Sequence, residues 1–322
     1  MYNYNELYQL IENKIKETVY GSNPKELYEP ISYMMSLGGK RLRPVLTLMG
    51  CNVFNDNVNN AIPAALAIEV FHNFTLVHDD IMDNAPLRRG KETVYKKWNT
   101  PIAILSGDLM MIKSIDFLID TNFENIPHLI KIFNKTAREV CEGQQIDMNF
   151  ETQKDVTHEQ YIEMTTLKTA VLLGAALQLG ALIGGANKYD AEHLYQFGKN
   201  IGIAFQIQDD ILDAFGDGSK TGKKVGGDID SNKKTLLLIE LIQCVHKDDK
   251  ILLNQLLNET NTDKKIEGVI NLYNKYQIKE FAETQKQQYL DKAFNHLKSV
   301  NVEENKKQYL INTANELMQR IS

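Results

Sequence analysis

Two groups of aspartates carry the chemistry that this sequence offers. Asp79, Asp80 and Asp83 have the spacing D-D-x-x-D, and Asp209, Asp210 and Asp213 repeat it. On a helix, Asp79 and Asp83 share one face, while Asp80 lies roughly 100° around it. Like charges at that spacing repel by ~0.2–0.5 kcal/mol in water, and by more when partly buried. Something cationic should offset them. Two such helices facing each other would wall a cavity with carboxylates. Arg88 and Arg89 follow the first cluster in a loop bracketed by Pro86 and Gly90. Paired arginines there suit bidentate binding of phosphate oxygens.

Further cations stand in Gly38-Gly39-Lys40-Arg41-Leu42-Arg43-Pro44, where two glycines open the backbone just before a helix start. Clustered cations and helix-start amides make an anion site; the alternative is a solvated basic loop. Gly143-Gln144-Gln145-Ile146-Asp147 places an acid and two amides on an otherwise apolar stretch. Burial of such groups demands partners, whether a structural polar network or a metal site. Lys168 and Thr169 open a long apolar segment, where a lysine either snorkels to water or binds phosphate. The loop Gly216 to Asp228 is rich in glycine and lysine, including Lys223, and Lys233 follows it. It is no Walker A loop, because no strand precedes it and the glycine–lysine order differs. Glu69 and His72 have the E-x-x-H spacing of di-iron bundles, but that fold needs the motif twice and no other histidine completes it. His72 is then a hydrogen-bonded core histidine or a donor to an anion.

The elements that must position these groups read as helices. Apolar residues recur at three- and four-residue spacing over residues 4–20 and 25–37. The periodicity predicts further helices over 45–51, 61–77, from 100 onward, and over 125–150, 161–185, 190–213 and 235–245. Residues 246–322 keep helical periodicity on a polar background. No solenoid repeat and no alternating strand pattern interrupts them, so the chain reads as one all-α domain over 1–322.

Bulk composition agrees. The 322 residues are 43% hydrophobic and 24% charged, with only 19 glycines and 7 prolines, which favours long helices over turn-rich sheets. A net charge of −6 disfavours general nucleic-acid binding. Cys51, Cys141 and Cys244 are few, odd in number and far apart, which points to a reducing, cytoplasmic setting. Residues 1–16 lack the apolar core of a signal peptide. The uncharged stretch from Thr169 to Asn187 reads as a buried helix rather than a membrane span, since Gln178 and four glycines interrupt it.

Taken together and in order, the two D-D-x-x-D clusters, G-G-K-R-L-R-P, R-R-G, G-Q-x-x-D, K-T and F-Q-x-x-D-D resemble the trans-isoprenyl diphosphate synthases, the polyprenyl synthetases that include farnesyl and geranylgeranyl diphosphate synthases. The match runs from about residue 38 to 235. The resemblance implies an all-α bundle of antiparallel helices around a central cavity, a homodimer, and Mg2+-dependent condensation of isopentenyl diphosphate with an allylic diphosphate. It implies Asp79, Asp83 and Asp209 as magnesium ligands, with Asp80, Asp147, Asp210 and Asp213 beside them, the metal cluster bridging both motifs and the allylic diphosphate. Arg88, Lys168, Thr169, Gln206, Lys223 and Lys233 would hold the allylic diphosphate. Lys168, Thr169 and Gln206 would also stabilise the allylic cation. Lys40, Arg43, His72 and Arg89 would form the isopentenyl diphosphate site. Phe74 and Thr75 precede Asp79 by more than one helical turn and resemble the floor that sets product length in short-chain members. Two other readings compete. A terpene cyclase also uses D-D-x-x-D but generally carries a different second motif, and a non-catalytic partner subunit tends to have lost aspartates.

Overall fold

The computed structural model describes residues 1–216 and 225–319. The chain divides into two compact units, each assembled from separate segments. Met1–Lys135, Ala175–Tyr195 and Val300–Leu310 form one unit. Thr136–Gly174, the described parts of Gln196–Ser299 and residues 311–319 form the other.

The first unit is built on α1 (Tyr4–Glu17), α2 (Lys25–Ser36), α3 (Leu42–Phe54), α4 (Ile62–Met82), the short α5 (Val94–Lys97) and α6 (Thr100–Ile119). Asn3 and Glu6 close α1 with a reciprocal capping box, and Asn99 caps α6 through the Ile102 amide. Helix α4 packs along α6 and α3. The helix read over 61–77 continues to Met82 and carries Asp79 and Asp80 inside its last turn, so both stand on a helix as their spacing suggested. The small residues of the apolar stretch serve close packing. A Cβ on Gly180 would come within 2.8 Å of the Thr47 carbonyl carbon and 3.0 Å of the Cys51 nitrogen, so the helix lies directly on the α3 backbone.

The described residues contain one departure from an all-helical plan, a hairpin of β1 (Leu87–Arg88) and β2 (Lys91–Glu92) paired Leu87 to Glu92 and Arg88 to Lys91. Its two loop residues, Arg89 (φ 53°) and Gly90 (φ 73°), are both left-handed, the pattern of a type I′ turn. Strands this short leave no alternation to read in sequence.

The second unit continues α7 (Ile126–Thr152), holds α8 (His158–Thr165), and contains most of α10 (Lys188–Phe215). Thr157 and Gln160 form the capping box of α8. One uninterrupted helix was expected over 161–185. Instead the chain loosens into a π turn at Thr166–Ala170, where the Val171 amide reaches back to the Thr166 carbonyl, and resumes as α9 (Val171–Ile183). Ile207 and Ile211 of α10 share a core with Leu237, Leu272, Tyr273 and Ile278, so the polar-looking C-terminal helices supply part of this unit's interior.

Among the described residues two stretches, Val58–Met82 and His158–Ile183, are long and apolar enough to cross a membrane by composition. Shares of 67% and 72% of their apolar windows are buried inside the fold, as expected of core helices.

Candidate active site

Both aspartate clusters sit at the C-terminal ends of helices, α4 and α10, where the helix dipole is negative. Carboxylates there are disfavoured by ~0.3–1 kcal/mol each. The sequence breaks this local rule at α4, and in α10 Asp213 alone lies in the last turn, with Asp209 and Asp210 just before it.

In the first unit, Asp79 is half-buried and Asp83 exposed, while the Asp80 side chain is 2% exposed. Asp80 is held by Arg88, whose Nε lies 2.9 and 3.0 Å from the two carboxylate oxygens and whose Nη2 lies 2.7 Å from Oδ1. Burial raises the Asp80 pKa and the Arg88 bonds oppose that push. Arg88, expected on the allylic diphosphate, is engaged with Asp80 in this structure.

The basic loop between α2 and α3 takes a strained path: Gly38 (φ 74°), Gly39 (φ 130°) and Arg41 (φ 45°) are all left-handed. Glycine adopts this freely, whereas arginine does so only when its surroundings compel it. Arg41 is compelled by its side chain, which is buried and bonded to Glu69 (2.7 Å), Glu12 (3.0 Å) and the Met35 carbonyl (2.6 Å). Of the loop's three cations, Arg41 is therefore a structural anchor. The same pairing commits Glu69, which removes the E-x-x-H metal reading.

Lys40 is exposed, its carbonyl accepting from the Tyr4 hydroxyl at 2.7 Å. Arg43 Nη1 lies 3.0 Å from His72 Nε2. A guanidinium only donates, so Nε2 accepts and the ring proton resides on Nδ1. Burial, then the charges of Arg43, Arg89, Arg88 and Arg41, lower the His72 pKa well below its ordinary value and keep the ring neutral. Burial also lowers Arg43 to about 10, and its Nε is buried without a hydrogen-bond partner. Arg89 donates to the Gly38 carbonyl and lies against Gly39, where a Cβ would meet its Cζ at 2.8 Å. Arg43, His72 and Arg89 are thus brought together, with His72 serving as an acceptor for Arg43.

More than one turn before Asp79 on α4, Phe74 and Thr75 are half-buried, Thr75 on the face of Asp79 and Phe74 on the face of His78. The Thr75 hydroxyl donates to the His72 carbonyl at 2.8 Å and so turns back onto its own helix.

In the second unit a cleft brings together Lys168, Thr169, Gln206, Asp147, Asp210 and Lys233. Lys168 Nζ meets Asp147 Oδ2 at 2.5 Å. Asp210 is buried, accepting from the Tyr161 hydroxyl (2.7 Å), Gln206 Nε2 (3.2 Å) and the Leu236 amide (3.4 Å). Burial pushes its pKa up to about 7; the Tyr161 bond opposes that and Asp228 adds to it. Asp213 accepts the Asp228 amide at 2.9 Å, and Asp209 is exposed. Lys223 lies outside the described residues.

Tyr161 and Thr235 also line this cleft and were not anticipated. Tyr161 precedes Lys168 by seven residues, two helical turns, and that spacing was the one available signal. The glycine of G-Q-x-x-D acquires a reason as well. A Cβ on Gly143 would lie 2.6 Å from the Leu167 carbonyl carbon and 2.7 Å from Lys168 Cα, and one on Gly202 would lie 2.7 Å from Ala170 Cα. The π turn that presents Lys168 and Thr169 is therefore packed backbone-close between α7 and α10. Such turns are frequent at functional sites.

A model of the polyprenyl synthetase family matches residues 24–273. The short chain isoprenyl diphosphate synthase of Methanocaldococcus jannaschii is 40% identical over 266 residues, 82% of this chain and 80% of that protein. The geranylgeranyl diphosphate synthase of Sulfolobus acidocaldarius is 38% identical over 302 residues, 92% of this chain and 91% of its own length. Among solved structures, the geranylgeranyl pyrophosphate synthetase from Pyrococcus horikoshii shares the fold at a TM-score of 0.91 and 34% identity, covering 98% of this chain and 99% of that one.

Proposed function

Because the chain belongs to the polyprenyl synthetase family and is a prenyltransferase, we propose that it condenses isopentenyl diphosphate head-to-tail with an allylic diphosphate. The product is a short-chain all-trans prenyl diphosphate, farnesyl or geranylgeranyl, released with free diphosphate. The observation that carries this reading is the pair of aspartate clusters at the negative ends of α4 and α10.

Magnesium suits both clusters, since each offers carboxylate oxygens alone. Among the described residues no three His, Cys, Asp or Glu side chains converge to enclose an ion, so phosphate oxygens and water would complete its shell. Asp79, Asp83 and Asp209 would hold it, with Asp80, Asp147, Asp210 and Asp213 fixed nearby by Arg88, Lys168, Tyr161 and the Asp228 amide. When bound, magnesium supplies neutralisation of charge on the departing diphosphate.

Lys168, Gln206 and Lys233, with Arg88, bind the allylic diphosphate and orient its carbon–oxygen bond for ionisation. Carbonyl and hydroxyl dipoles of the Lys168–Thr169 turn and the Gln206 amide stabilise the allylic cation. Lys40, Arg43 and Arg89 bind isopentenyl diphosphate, and His72 orients Arg43 toward it. The double bond of isopentenyl diphosphate attacks the cation, and the departed diphosphate takes the proton that is lost. Apolar helix walls exclude the water that would quench the cation. The growing chain descends the α4 face toward Phe74 and Thr75, which set its length.

Neither unit is a contiguous stretch of chain, which supports one prenyltransferase domain over 1–322. Leu105, Ile112 and Ile119 are exposed on one face of α6 at a seven-residue repeat, and we assign that face to a homodimer. The three cysteines are free, in keeping with a reducing cytoplasmic setting.

The direct test supplies isopentenyl diphosphate with dimethylallyl, geranyl or farnesyl diphosphate, with and without magnesium, and separates the products by chromatography. Elongation that requires magnesium is expected, whereas a cyclised hydrocarbon or no product refutes the reading. Asp79→Ala should abolish elongation while the circular dichroism stays helical.

A further inference from the structure

Phe74 belongs to a file of rings along α4. Its centroid lies 5.6 Å from that of Phe71 and 4.8 Å from the His78 imidazole, which it meets edge-on at 67°. Phe71 is backed in turn by Phe133 at 5.2 Å. Phe74 is thus held from two sides of its own helix, with His78 on the side toward the aspartates.

His78 is itself fixed from the neighbouring helix. Its Nε2 lies 3.2 Å from the Ile104 carbonyl of α6, and since a carbonyl only accepts, Nε2 carries the hydrogen and donates. The ring rests directly over Gly107. A Cβ there would overlap Nε2 and come within 2.6 Å of Cδ2. Glycine is the poorest helix former after proline, so one in the interior of α6 marks a position where space outweighs propensity. The space is occupied by the imidazole.

We propose that His78 and Gly107 are positioning residues for product length: Gly107 admits the imidazole onto α6, and the imidazole pins the Phe74 ring in the conformation that closes the floor. This rests on the reading of Phe74 as that floor. Neither residue touches the reacting atoms. With the imidazole removed or displaced, Phe74 keeps Phe71 as its one ring partner among the described residues and swings away from the path of the chain.

The test measures product distributions from isopentenyl diphosphate and geranyl diphosphate with magnesium, for wild type, Phe74→Ala, His78→Ala, Gly107→Ala and the two double variants that combine His78→Ala or Gly107→Ala with Phe74→Ala. The readout is the ratio of the next longer product to the main product, which is independent of total rate. His78→Ala and Gly107→Ala should each raise that ratio by about two- to tenfold, the factor corresponding to loss of one aromatic pair. Each should add nothing once Phe74 is alanine. Wild-type ratios for both single variants, with a raised ratio for Phe74→Ala, would overturn the inference and leave the floor assignment standing. A wild-type ratio for Phe74→Ala itself would remove the floor assignment and the inference with it. Equal increments in both backgrounds would show that His78 and Gly107 act without Phe74. Should Gly107→Ala fold poorly, Gly107→Ala combined with His78→Ala relieves the overlap and should reproduce the His78→Ala ratio; a wild-type ratio there counts against the inference.

Discussion

The Tyr161 hydroxyl donates to Oδ2 of Asp210 across 2.7 Å, joining a tyrosine of α8 to the second aspartate cluster on α10. Both groups are buried, and this bond is the shortest of the three that Asp210 accepts. Tyr161→Phe should cost ~1–3 kcal/mol in denaturant unfolding, the usual consequence of a deprived buried acceptor. It should also move the acidic limb of the rate–pH profile upward, because the phenol is the strongest of the groups that oppose the effect of burial on Asp210, ahead of Lys233 and Gln206. An unshifted limb would mean that Asp210 does not limit turnover.

The metal-free protein should lose stability as pH rises from about 4 to about 7. Asp210 is raised from 3.8 to about 7 in the folded state, chiefly by burial. Within that window the folded chain retains a proton that the unfolded chain releases, so stability is fullest below the unfolded value and is lost as pH climbs through the folded one. Every tenfold difference in proton affinity between the two states corresponds to ~1.4 kcal/mol. Urea midpoints measured with a chelator present should fall across the window in wild type and stay nearly level in Asp210→Asn.

Arg88→Ala should be severely destabilising, by ~3–5 kcal/mol, because it strands a carboxylate that is 2% exposed. Combining it with Asp80→Asn should restore most of the loss. A double-mutant cycle in thermal unfolding reads the coupling directly.

Gly143→Ala forces a methyl group against the backbone of Leu167 and Lys168, which cannot retreat without moving the π turn. Overpacking of this kind costs ~1–3 kcal/mol. Displacement of Lys168 and Thr169 by a fraction of an ångström should lower kcat on the order of ten- to a hundredfold. Steady-state kinetics alongside thermal melts separates the two effects.

Arg43→Ala should raise the KM for isopentenyl diphosphate with little change in that for the allylic substrate. His72→Ala should act in the same direction and more weakly, since it removes only the acceptor that aims Arg43. Equal effects on both substrates would argue that the basic loop is not selective.

Much of this was visible in residue types and spacing. The helices, the paired aspartates and the basic loop each have a short-range signature, whether periodicity, like-charge spacing or glycines beside cations. What escaped depends on contacts made far along the chain. Nothing in Thr166–Ala170 announces a π turn, which exists because Gly143 and Gly202 allow two backbones to close on it. Arg41 looks like its neighbours Lys40 and Arg43 until Glu12 and Glu69 are found waiting for it in the interior. Carboxylates at a helix C-terminus contradict local preference, and the fold accepts them.

The hairpin after α4 has a thermodynamic consequence. Its adjacent arginines part company at the turn, Arg88 gripping Asp80 and Arg89 resting on Gly38 and Gly39. A single peptide unit therefore separates a handle on the first acidic cluster from a handle on the basic loop. If filling one site shifts its arginine, the other site must register that shift, and linkage makes the influence mutual and equal in free energy. Whichever ligand arrives first would then bias the loading of the second through the peptide that joins Arg88 to Arg89.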